Sequence, residues 1–177
     1  MRMLLANFTV PYGKWCKDNG LIVTGHVLHE DTLSCQTTMM GSVMQYYRYM
    51  DYPGIDNLGS CNYCYEVPKL AASVAKQFGK KFVLSEMYGV SGWRMSLNDY
   101  KHDGDWQAFM GITFRCPHLS WYTMKGEAKR DCPASIMSQS GWYTEYKAVE
   151  DYFSRLDAVF SYCGEMTENL IIHPVES

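Results

Sequence analysis

Apolar runs that end abruptly in polar residues recur along this chain at intervals of about 30 residues, and no other feature limits its fold as tightly. Leu21–Leu28 runs straight into His29-Glu30-Asp31. Ile55–Leu58 is shorter and carries Asp56 and Asn57. Phe82–Glu86 stops on a carboxylate, with Met87-Tyr88-Gly89 after it. Gly111–His118 closes on a histidine, and Asn169–Val175 forms a fifth run. Continuous apolar runs of this length read as buried parallel strands. Helical periodicity fills the intervals, which gives the βα order of a parallel sheet. The fold class read from the sequence is therefore α/β, built of parallel βα repeats with about five strands. Five in series are too few for a closed eight-stranded barrel of about 250 residues. The residues leave two architectures, an open sheet or part of a barrel.

The intervals carry their own signals. Ala6 to Asn19 reads as a helix with Phe8, Trp15 and Cys16 inward, stopped by Asn19-Gly20. Thr38 to Met50 places Met40, Val43, Met44 and Tyr47 on one face, where methionines serve packing. Tyr52-Pro53-Gly54 reads as a turn. Pro68 opens a helix with Leu70, Val74 and Phe78 on one side, closed by Gly79. A long loop, Met87 to Asp99, precedes a helix from about Leu97 to Met110. Lys125 to Gly141 reads as an irregular loop containing Lys129, Arg130, Asp131 and Pro133. From Tyr143 to Tyr162, Tyr146, Val149, Tyr152, Phe153, Leu156, Val159 and Phe160 share an amphipathic stripe.

Composition narrows the function classes. The net charge of −3 gives no electrostatic case for nucleic acid. No apolar run approaches the 18 or so residues of a membrane span, so no membrane partner is expected. The start, MRMLLANFTVPYGKW, lacks the apolar length and the cleavage site of a signal peptide. Seven scattered cysteines are an odd number and argue for mostly reduced thiols. Cys61 and Cys64 form one CxxC, but two further zinc ligands at suitable spacing are missing nearby. Neither GxGxxG nor a Walker A sequence is present. Aromatic residues reach 15%, enough for both an aromatic core and flat rings that stack on sugars.

Polar side chains collect where strands end. If the strands are parallel and adjacent, His26, His29, Glu30, Asp31, Asp56, Asn57, Glu86 and His118 converge on one rim. Facing carboxylates on such a rim suit cleavage of a glycosidic bond: one protonates the departing oxygen, and the other activates water or attacks the anomeric carbon. Glu86 and Glu30 are the candidate catalytic pair. His26, His29, Asp56, Asn57 and His118 are candidates for binding sugar hydroxyls. Tyr88, Trp93, Trp121 and Tyr122 lie in the same loops as candidate stacking platforms. Two other readings stand beside this one. His26, Glu30 and His118 include residue types that bind a divalent metal, although no HExxH-type spacing supports it. A non-catalytic carbohydrate-binding segment would keep the rim without the chemistry. Cys35 and Cys116 have no evident base to activate them as nucleophiles.

Five segments resemble a known pattern: Leu21–Asp31, Tyr49–Leu58, Pro68–Ala75, Val83–Trp93 and Leu170–Ser177. In order and content they are similar to large bacterial TIM-barrel glycoside hydrolases of the α-L-rhamnosidase type, also labelled glycosyl hydrolase family 2-like. The resemblance extends over nearly the whole chain. It implies a (β/α)8 catalytic barrel working through paired carboxylates, with Glu86 in Leu-Ser-Glu-Met-Tyr-Gly and Glu30 in Gly-His-Val-Leu-His-Glu at the acidic positions. It implies a carbohydrate substrate and a secreted or periplasmic enzyme. It calls for no organic cofactor, and it leaves calcium open with no ligands mapped. Such enzymes are several times longer, so residues 1–177 would form a partial catalytic barrel domain truncated at both ends. Exposed sheet edges in such a fragment would favour self-association.

Overall fold

The computed structural model describes residues 2–60, 62–127 and 135–175. Among them lies a four-stranded sheet of Thr24–Gly25 (β1), Tyr52–Asp56 (β2), Leu84–Met87 (β3) and Phe114–Pro117 (β4). The strands lie side by side in chain order, and every neighbouring pair is parallel. Helices fill the intervals: Arg2–Leu4 (α1) and, after a π-helical turn at Leu5–Thr9, Val10–Asp18 (α2); Leu33–Met39 (α3) and Val43–Tyr47 (α4); Glu66–Gln77 (α5); Leu97–Phe109 (α6); and Tyr146–Tyr162 (α7). This is the βα repeat expected from the spacing, an α/β fold with a parallel sheet of four strands.

Side chains alternate across the strands, and the alternation assigns the two faces. Ile55, Ser85 and Met87 are buried on one face. Ile55 joins Val43, Tyr47, Ala71, Val74 and Val83 in a core between the sheet, α4 and α5. Met87 joins Tyr88, Tyr100, Tyr146 and Phe153 in a second core beneath α6 and α7. Asp56, Glu86 and Cys116 stand beside one another on the opposite face. Lower on that face Tyr52 meets Phe82 edge-on at 5.1 Å, and Phe82 meets Phe114 at 6.0 Å. The helices thus cover one side of the sheet, and the acidic strand tips belong to the other.

Several boundaries depart from the sequence reading. The first strand pairs over only Thr24–Gly25 instead of Leu21–Leu28, and Leu21 and Ile22 are exposed. It lies at the edge of the sheet, where only one neighbour supplies hydrogen bonds. Tyr52-Pro53-Gly54 is strand, not turn. The proline lies in the first part of β2, where its missing N–H is tolerated. Gly54 is required there: a Cβ would come within 2.1 Å of the Gly25 carbonyl oxygen. The expected helix over 38–50 divides into α3 and α4 around Gly41, whose φ of 74° favours glycine. Phe8 and Trp15 point outward, and Cys16 alone of the three is buried.

The largest departure concerns the fifth apolar run. Residues 163–174 form no strand, and Leu170, Ile171 and Ile172 are 89%, 88% and 80% exposed. The segment is held elsewhere, over the helices. Lys69 on α5 pairs with Glu165 at 2.6 Å, and Lys76 donates to the Glu165 carbonyl at 2.7 Å. His173 then reaches Gln36 on α3 at 3.0 Å. Apolar composition alone makes no strand; an open sheet edge must lie within reach. Cys61 of the CxxC and Lys129, Arg130, Asp131 and Pro133 of the predicted loop lie outside the described residues.

Candidate functional site

Each strand delivers its polar tip to the same rim because all four run the same way. Asp56 at the end of β2 lies directly beside Glu86 on β3, and Glu86 lies beside Cys116 on β4. His26, one residue past β1, stands against both carboxylates: its Nδ1 lies 3.9 Å from Asp56 Oδ2 and its Nε2 3.4 Å from Glu86 Oε2. His118, just past β4, completes the row, with Nε2 3.7 Å from Glu86 Oε1. Glu86 is therefore the centre of a line that runs Asp56, His26, Glu86, His118.

Glu30 belongs to the same rim with a different environment. Its residue is only 4% exposed. Oε1 accepts the backbone N–H of Val27 at 2.9 Å, and Oε2 accepts that of Asp56 at 3.4 Å. The phenol of the buried Tyr47 stands against it. Burial dominates and pushes the carboxyl up to about 7, against the pull of these donors and of His26. Glu30 so holds a proton close to neutral pH. Burial first, and then the neighbouring Glu30 carboxyl, raises the phenol of Tyr47 well above its ordinary value.

A basin of about 510 Å³ opens beside Asp56 and is lined by His29, Glu30, Asp31, Asn57, Leu58 and Cys64 among others. Asp56 borders both the basin and the Glu86 row, and its Oδ1 is buried without a hydrogen-bond partner. Backbone strain gathers at the same rim. His29, Tyr88 and Val90 all adopt positive φ, at 56°, 72° and 58°. Strained non-glycine residues of this kind concentrate at functional sites, where surrounding structure holds them.

Of the residues expected from the sequence, His26, His29, Glu30, Asp56, Asn57, Glu86 and His118 all lie at this rim. Asn57 is buried, and its side-chain amide donates to the Asn62 carbonyl at 3.3 Å, so it shapes the basin wall. The aromatic platforms are corrected in part. Tyr88 is buried and its phenol donates to the Tyr100 carbonyl at 3.2 Å, because the left-handed backbone at this residue directs the ring into the core. Trp121 is buried as well, edge-on against Trp93 at 5.0 Å. Trp93 itself is 47% exposed, and Tyr122 projects fully into solvent.

The metal reading gains no support from the donors. Among the described residues no group of three or more His, Cys, Asp or Glu is placed to hold a metal ion. Glu30 turns toward backbone amides, while His26 and His118 face Glu86. Cys116 borders Glu86, but burial and then the Glu86 charge raise its thiol, which suits neither a thiolate ligand nor a nucleophile. Two supporting residues were not singled out by sequence reasoning. Gln36, fully enclosed, donates to the Glu30 carbonyl at 2.7 Å. Arg115, beneath the sheet, pairs with Glu150 on α7 at 2.8 Å. A buried Gln in an amphipathic helix and an Arg inside an apolar strand were the available signals.

No family model matches the chain, and no curated protein matches it. Among solved structures it is similar to a rhamnosidase from Novosphingobium sp. PP1Y, with a TM-score of 0.70 at 18% identity. The superposition covers 91% of this chain and 16% of the rhamnosidase chain. The likeness concerns the fold, and the chain spans less than a fifth of that enzyme's length.

Proposed function

We propose that this chain carries part of the catalytic barrel of a glycoside hydrolase, with Glu86 as its central carboxylate and Glu30 as the proton donor. The observation that carries the reading is the row of Asp56, His26, Glu86 and His118 along the C-terminal ends of parallel strands, bordering a basin that Glu30 lines. Active sites of βα barrels lie at that end of the strands. Cleavage of a glycosidic bond needs one protonated and one ionised carboxyl group. Glu30, raised to about 7 by burial, supplies the proton to the departing oxygen. Glu86, on the open face of the sheet, attacks the anomeric carbon or takes the proton of the attacking water. His29 and Asp56 hydrogen-bond sugar hydroxyls, and Trp93 stacks on a ring face. The fold likeness to a rhamnosidase supports a deoxy sugar as the first substrate to try.

The test is hydrolysis of a panel of nitrophenyl glycosides, the α-L-rhamnoside included. Glu86→Gln is expected to lower kcat by about a thousandfold or more, with an unchanged circular dichroism spectrum. Undiminished turnover in that variant overturns the reading. The two backbone donors on Glu30 favour one alternative, a carbohydrate-binding segment in which Glu30 only ties loops together. In that case sugar affinity persists in Glu86→Gln and no substrate of the panel is cleaved by the wild type.

A further inference from the structure

His26 is held by a contact that fixes which nitrogen carries its proton. Its Nδ1 lies 3.0 Å from the carbonyl oxygen of Val27. A carbonyl only accepts, so Nδ1 bears the hydrogen and donates it. Nε2 is left as the variable position, and Glu86 Oε2 faces it at 3.4 Å. An unprotonated Nε2 and an ionised carboxylate would set two lone pairs against each other. A proton on Nε2 turns that opposition into an attraction. We infer that His26 and Glu86 share a single proton held on His26 Nε2, so that Glu86 meets its substrate as a carboxylate and His26 is its positioning residue.

The surroundings favour the imidazolium over the neutral pair. Asp56 of β2 stands 3.9 Å from Nδ1, and Glu86 of β3 faces Nε2. Glu30, from the loop after β1, adds a third carboxyl. On the far side of Glu86, His118 lies 3.7 Å from Oε1 and competes for the same carboxylate through its other oxygen. Burial disfavours the charged ring of His26, but the Val27 carbonyl and the carboxyls, Asp56 and Glu86 foremost where Glu30 keeps its proton, outweigh it and raise its pKa. A proton resting on Nε2 also divides the labour of the proposed reaction. Glu86 is excluded as the acid, and the proton for the leaving group has to come from Glu30. This inference rests on the glycosidase reading for its mechanistic meaning only; the shared proton is a property of the free protein.

The experiment is a pH titration by NMR of the whole chain with ¹⁵N-labelled histidine, in wild type, Glu86→Gln and Asp56→Asn. In wild type the His26 ring is expected to keep both nitrogens protonated at pH 6.5. Its midpoint is expected to move to lower pH in both variants, because each removes a carboxylate that stabilises the imidazolium. Should Glu86→Gln fail to fold, Glu86→Asp replaces it: its shorter side chain draws the carboxylate away from Nε2 and is likewise expected to lower the midpoint. A neutral His26 ring at pH 6, or a midpoint that ignores the substitutions, overturns the inference. The readout needs no turnover. Loss of the glycosidase reading with the coupling intact leaves the pair standing, and intact turnover with an uncoupled His26 removes the pair alone.

Discussion

Glu30 Oε2 accepts the backbone N–H of Asp56 at 3.4 Å, and Asp56 is the residue paired across the sheet with Glu86. The loop after β1 is thereby tied to the tips of β2 and β3 through a carboxyl group. Whatever changes the charge or shape of Glu30 acts on the rest of the rim.

The first consequence is a pH dependence of stability. Burial raises the Glu30 carboxyl from 4.5 to about 7. Between those values the folded chain keeps a proton that the unfolded chain has released. Stability from this group is fully present below 4.5 and is lost as pH rises through 7. The size is on the order of 3 kcal/mol, taking about 1.4 kcal/mol per pH unit. Urea unfolding at pH 5 and pH 8 measures it. Glu30→Gln is expected to remove most of the difference between the two pH values, and an unaltered difference would assign it to other groups.

Gly54 sets the approach of β1 to β2. Gly54→Ala would place a methyl carbon 2.1 Å from the Gly25 carbonyl oxygen, a backbone atom that cannot swing aside. A loss of about 1–3 kcal/mol is expected from such overpacking. The same shift moves His26 away from Glu86, since His26 follows β1 directly. Chemical denaturation reads the first effect, and the His26 ring resonances read the second. A variant as stable as wild type would show that β1 yields without cost.

Arg115 anchors α7 to the underside of β4. Its guanidinium makes a forked pair with Glu150 at 2.8 and 3.5 Å and lies 3.8 Å from the centre of the Phe153 ring. The Arg115 side chain is enclosed, whereas Glu150 is 40% exposed. Arg115→Ala is expected to cost about 2–3 kcal/mol, through lost packing as well as lost charge. Glu150→Gln should cost about 1 kcal/mol, because water replaces part of the pair. Equal losses in the two variants, measured by denaturation, would contradict this asymmetry.

Much of the fold was legible because burial leaves a periodic trace. Phe82–Glu86 reads as a strand ending in a carboxylate, and β3 covers Leu84–Met87. The helix expected over 97–110 is α6, opened by a capping box in which Ser96 and Asp99 bond each other's backbone. Leu170–Ile172 misled because an apolar run is a statement about solubility and not about pairing. Tyr88 misled because neighbours in sequence do not fix which way a ring turns, and a φ of 72° sends it inward. Of the rim, the residue types and their order were legible; the contacts of His26 with Asp56 on β2 and Glu86 on β3 were not.

The sequence by itself determined the α/β class, the parallel order and the presence of Glu30, Asp56, Glu86 and His118 at strand ends, because hydrophobic periodicity and helix caps are local properties of the chain. Only the tertiary structure decided that Glu30 is enclosed and close to neutral while Glu86 stands on the open face between two imidazoles. Burial and charge proximity depend on which segments meet, and no local pattern carries that information.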